Sequence, residues 1–167
     1  MSESSITQQE ADGRADFGFY VGTWKVHNWR LRETLKGSDE WEEFEGVSVA
    51  HMILGGLGNM EEITLERPSG QTQEITLRLF DPQSRQWSLY WAGSGGGWNW
   101  SLPMIGSFKD GRGEFYCHEP IGGRHIFTRY VWSDITATSC HWEQACRVWS
   151  RRYPCPSVVS SFLWEGV

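Results

Sequence analysis

Glu61 and Glu62 in "GNMEE" and Arg78 in "TLRLF" are the residue types in this sequence best suited to moving a proton. Neighbours on a strand face opposite ways, so only one of the two glutamates can face an interior. Glu61 shares its face with Asn59, Ile63 and Leu65, and apolar company marks the buried side. A carboxylate there needs a partner such as Arg78, or burial raises its pKa. Glu61 and Arg78 are therefore expected to meet inside the fold. They would act as the acid/base pair of a catalyst or as an ion pair bracing the structure, the brace being the commoner role of a buried carboxylate. Glu114 in "RGEFY" and Arg129 are further candidates of the same kind.

Other chemistry is poorly served. "YCHEP" and "SCHWEQAC" each place Cys beside His, but adjacent strand residues cannot ligate one ion together, and no C-x-x-C or H-x-x-x-H occurs. No metal site is expected. None of the five histidines, His27, His51, His118, His125 and His141, sits in a local motif that marks an axial ligand. No cofactor is expected, and haem stands as an alternative. "GSGGG" lacks a following helix and a Lys-Ser/Thr, so it is no phosphate loop. No Ser/His/Asp or Cys/His nucleophile set is visible.

The elements that must position these residues read as strands. With 11 Trp and 19 Gly in 167 residues, the composition suits aromatic walls joined by tight turns. Turn signals recur at "KGSD", "GGLGN", "PSGQ", "DPQSR", "KDGRG" and "PIGG", about a strand apart. The segments between predict about ten strands: 24–34, 41–53, 60–67, 72–80, 86–92, 98–108, 114–118, 125–132, 140–146 and 157–164. One helical turn is expected near 15–21. Short connections throughout predict an all-β, closed up-and-down antiparallel barrel of about 8–10 strands. Residues 1–15 read as a mobile polar tail and 16–167 as a single barrel domain. Alternation places Trp91, Tyr130, Trp132, Trp142 and Gln144 inward, where with Asn59 they would line a ligand cavity. "AGSGGGWNWSLP" reads as a loop able to lie over the mouth.

"GTW" after a short helical turn resembles the Gly-x-Trp opening of lipocalins and the wider calycin barrels. "WEEFEG", "LGGLGNMEE", "LRLFDPQSRQWSLYW", "RGEFY" and "RYVWSDITATSCHWEQA" resemble, in order, a family of small, mostly bacterial calycin-like barrels of unknown function, over residues 17–145. The resemblance implies that Gly22 and Trp24 form a plug at the closed end of the barrel. After Ala145 the chain departs from the family pattern, reading "CRVWSRRYPCPSVVSSFLWEGV".

The net charge of −6 argues against nucleic acid, which requires a basic face. No stretch approaches the roughly 18 apolar residues of a membrane helix, and the polar N-terminus has no signal-like apolar run. Four cysteines without ladder spacing read as reduced thiols, and a cytoplasmic location is expected. The partner expected is a small hydrophobic ligand, with a homodimer left open. The functional expectation is a binding barrel with an aromatic cavity for an apolar or aromatic molecule. The alternative is a cofactor-independent isomerase, cyclase or lyase acting on a hydrophobic substrate held beside Glu61 and Arg78.

Overall fold

The computed structural model describes residues 13–33, 38–121, 123–148 and 155–164. Ten strands follow a single 3-10 turn at Gly18–Tyr20. They are β1 (Gly22–Leu31), β2 (Trp41–Ile53), β3 (Gly58–Arg67), β4 (Gly70–Asp81), β5 (Gln86–Gly93), β6 (Met104–Lys109), β7 (Arg112–Ile121), β8 (Arg124–Ser133), β9 (Ser139–Val148) and β10 (Cys155–Trp164). Each pairs antiparallel with its sequence neighbours, and β10 pairs with β1 to close the barrel. This is the all-β, closed up-and-down antiparallel barrel that the turn spacing predicts. The segment that departs from the family pattern supplies the closing strand, with Val26 opposite Phe162 and Trp24 opposite Trp164.

Period-two alternation decides which face each strand presents inward. Along β2, Phe44, Gly46, Ser48 and Ala50 are buried while Glu43, Glu45, Val47, Val49 and His51 are exposed. Two expectations differ in detail. The strand expected over 98–108 with a break at Pro103 keeps only its second part, from Met104, because Pro103 has no N–H to give a ladder. The preceding loop folds back on β5 instead: Trp91 N donates to Asn99 Oδ1 at 2.5 Å and Asn99 N to Trp91 O at 3.1 Å. Of the tail expected over 1–15, residues 1–12 lie outside the described residues. From Gly13 the chain lies against the barrel, its carbonyl accepting a 3.2 Å hydrogen bond from Trp87 Nε1. Among the described residues no helix is long and apolar enough to cross a membrane.

One end of the barrel is packed shut. Phe17, Tyr20, Trp24, Trp87 and Phe115 are all fully buried there. Their rings meet edge-on or stacked: Phe17 with Trp87 and with Phe108 at 5.0 Å, Tyr20 with Trp24 at 5.5 Å, and Tyr20 with Trp132 at 4.8 Å. Trp24 Nε1 donates to Tyr20 O at 3.0 Å, so the indole is buried with its polar atom satisfied. Gly22 explains the Gly-x-Trp spacing. Its φ of +125° turns the chain from the 3-10 turn into β1 through a conformation that side-chain-bearing residues rarely adopt.

Replacing Trp24 with Ala should cost about 3–5 kcal/mol, the usual loss for a buried large aromatic. Urea unfolding of the two proteins measures it. A variant as stable as the parent would show that the closed end does not depend on this plug.

Candidate functional site

Above the aromatic floor lies a buried ion pair. β3 carries Glu61 and β4 carries Arg78, 5% and 2% exposed. Arg78 Nη2 bonds Glu61 Oε2, and Nη1 donates to Asn59 Oδ1 at 2.6 Å. Glu61 Oε1 accepts from the Tyr20 hydroxyl at 2.6 Å and from Ser48 Oγ at 2.8 Å. Beneath, the guanidinium lies 5.0 Å from the Phe17 ring centre and 5.1 Å from that of Tyr20, with Trp132 at 5.7 Å. Both charges are thus held by opposite charge, hydrogen bonds and ring faces, the combination that makes a buried pair tolerable. Two donors at this floor stay unsatisfied. Arg78 Nε and Trp132 Nε1 are buried with no hydrogen-bond partner among the described residues. Each such orphan costs about 1–3 kcal/mol and calls for an explanation.

A cavity of about 590 Å³ extends from this pair to the opposite end of the barrel. Glu61, Arg78 and Trp132 form its bottom, and Trp91, Tyr130, Trp142 and Gln144 line its walls. Tyr130 and Trp142 meet edge-on at 5.1 Å. Nearer the mouth, Arg67 pairs with Glu74 at 2.7 Å, and Glu74 Oε2 also accepts from Trp91 Nε1 at 2.9 Å. Gly93 at the end of β5 and Gly95 and Gly96 in the β5–β6 loop line the cavity, while Trp98 on the same loop is 71% exposed.

The structure brings seven of the residues singled out in the sequence to one cavity: Glu61, Arg78, Trp91, Tyr130, Trp132, Trp142 and Gln144. Asn59, expected to face a ligand, does not. It is fully buried, its amide oxygen taken by Arg78 and its Nδ2 directed at Met52 Sδ, 3.6 Å away. Gly22 and Trp24 lie at the closed end. Glu114 and Arg129 do not line the cavity. Glu114 accepts from Arg112 Nε and the Tyr116 hydroxyl, and Arg129 pairs with Glu143 at 3.2 Å. None of the five histidines lines the cavity. Among the described residues no group of three or more metal-ligating side chains comes together. Sequence reasoning missed Tyr20, Ser48, Arg30, Arg67 and Glu74. The last three share strand parity with residues correctly placed inside, and that was the available signal.

The fold with this cavity defines a lipocalin-like barrel. Among the solved structures that share the fold are the S-type phycobiliprotein lyase CpeS from Guillardia theta and Rv2717c from M. tuberculosis. CpeS matches at a TM-score of 0.56 and 9% identity, over 90% of this chain and 91% of that one. Rv2717c matches at 0.62 and 10%, over 93% and 98%. At these identities the likeness is one of fold. No protein-family model matches the chain, and no curated protein matches it.

Burial, and then the Glu61 carboxylate, push the Tyr20 phenol well above the usual value near 10. The folded protein holds that proton more tightly than the unfolded chain does. The associated stability is therefore present below about pH 10 and is lost as pH rises further, by up to about 1.4 kcal/mol per pH unit. Denaturant titrations between about pH 9 and 11 should show the decline. Tyr20→Phe should make it shallower without abolishing it, since burial also raises the Tyr130 phenol and the Cys140 thiol, and should cost about 1–3 kcal/mol at neutral pH because Glu61 loses a donor. An unchanged alkaline slope in Tyr20→Phe would contradict the assignment.

Proposed function

We propose that this protein binds a small apolar or aromatic molecule inside its barrel. The observation that carries the reading is the cavity itself: about 590 Å³, open at one end, with Trp91, Tyr130 and Trp142 on its walls and Trp132 at its bottom. Small-molecule sites fall in the range of roughly 300–1,000 Å³ and combine apolar walls with a few fixed polar groups. A barrel that served only as a scaffold would fill this space with side chains, as the closed end does. The unsatisfied Arg78 Nε and Trp132 Nε1 support the same reading, since an acceptor brought to the cavity bottom by a guest would relieve them. That one structure of the same fold is described as a phycobiliprotein lyase is compatible with a barrel that works on a guest, although fold alone does not carry function.

Glu61 reads as a brace within this function. Its two oxygens accept from Tyr20, Ser48 and Arg78, which leaves it poorly placed to take a proton from a substrate. Binding is therefore preferred over the isomerase, cyclase or lyase alternative.

The neutral fluorophore N-phenyl-1-naphthylamine, which brightens in dry sites, tests both points. It should bind the parent protein, and Trp91→Ala and Trp142→Ala should weaken binding, while Trp29→Ala on the outer face should not. Glu61→Gln should lower stability by about 3–5 kcal/mol by stranding Arg78. Absence of probe binding would overturn the cavity reading, and a fully stable Glu61→Gln protein would overturn the brace.

A further inference from the structure

Five charged side chains line the cavity: Arg30, Arg67 and Arg78, with Glu61 and Glu74. Two of the arginines are neutralised in place, Arg67 by Glu74 at 2.7 Å and Arg78 by Glu61. Arg30 is not. It stands on the inward face of β1 with Asn28, half-buried, and no hydrogen bond or ion pair reaches it from the described residues. Glu42 is its partner across the β1–β2 ladder, yet no ion pair joins the two. The cavity therefore carries one surplus positive charge inside a chain whose net charge is −6. A cleft with low-dielectric walls concentrates the field of such a charge, and an arginine fork suits the oxygens of a carboxylate, sulfonate or phosphate.

Arg30 also sits at a defined height. It lies six residues beyond Trp24 on the same strand, roughly 20 Å further along it. Trp91, Tyr130 and Trp142 line the same cavity as Arg30 and the Glu61–Arg78 pair. We propose that the guest is an amphipathic anion. Its planar or apolar body lies among Trp91, Tyr130 and Trp142, and its anionic group is held by Arg30 towards the mouth. This rests on the binding function proposed above and adds the charge and orientation of the ligand.

A matched pair of probes separates the two claims. 8-Anilinonaphthalene-1-sulfonate and N-phenyl-1-naphthylamine share the anilinonaphthalene body, but only the first carries an anionic group. Both should bind the parent, the sulfonate more tightly, and only its affinity should fall as salt is raised. Arg30→Gln should weaken the sulfonate about tenfold or more, the range of a hydrogen bond to a charged group, and leave the neutral probe within about twofold. Arg30→Lys should restore most of the preference. Circular dichroism and the melting temperature of each variant confirm that it is folded, and Arg30→Lys keeps the test open should Arg30→Gln fail to fold. Equal affinity of the two probes for the parent, or loss of both in Arg30→Gln, would overturn the anion assignment while leaving the cavity intact. Binding of neither probe would overturn the cavity reading, and the anion assignment with it.

Discussion

The ion pair between Glu61 and Arg78 is the constraint around which the rest is arranged. Two charges inside a barrel are tolerable only when each is paired and its remaining hydrogen-bonding capacity is met. That requirement accounts for neighbours from four separate elements. The 3-10 turn brings the Tyr20 hydroxyl, β2 brings Ser48, β3 brings Asn59 beside Glu61, and β4 brings Arg78 itself. Phe17, Tyr20 and Trp132 present ring faces to the guanidinium. The pair thus ties the segment before β1 to the second, third and fourth strands, through contacts that backbone pairing alone would not supply.

The pair also divides the interior. On one side the rings of Phe17, Tyr20, Trp24, Trp87 and Phe115 pack without exposure, and on the other the cavity opens. This division follows from where the bulky residues fall along each strand. β1 enters with Trp24 and Val26 and leaves with Asn28 and Arg30, while β4 runs the other way, from Thr72 and Glu74 to Arg78 and Phe80. Large apolar side chains at one end and shorter or polar ones at the other leave a barrel of uniform strand number filled at the bottom and empty above. The Arg67–Glu74 pair, tied to Trp91, repeats near the mouth the arrangement found at the floor.

Much of this was legible in the sequence because a strand's period is two. Once Trp87, Leu89 and Trp91 are placed on one face, the inward side of β5 is fixed, and the alternation of β9 in its turn puts Trp142 and Gln144 on one face. The meeting of Glu61 and Arg78 followed from the cost of leaving either charge alone. Tyr20 and Ser48 were not legible as its donors. Their roles depend on how the turn docks across the barrel end, a tertiary arrangement with no local pattern. Asn59 was placed on the correct face but at the wrong depth, since parity reports the side of a strand and not whether a neighbour covers it. Arg30, Arg67 and Glu74 were overlooked because polar residues at strand ends look like a solvated rim. The closing strand lay beyond the resemblance, yet apolar residues such as Val158 and Phe162 meet the needs of β1 in register.

The central claim is that the lumen above Glu61 and Arg78 is a site for a guest. A crystal structure grown with N-phenyl-1-naphthylamine tests it most directly. The account predicts the fluorophore inside the barrel, its rings among Trp91, Tyr130 and Trp142 and above an intact Glu61–Arg78 pair. A lumen closed by inward-turned side chains, with the fluorophore only on the outer faces of the strands, would contradict it.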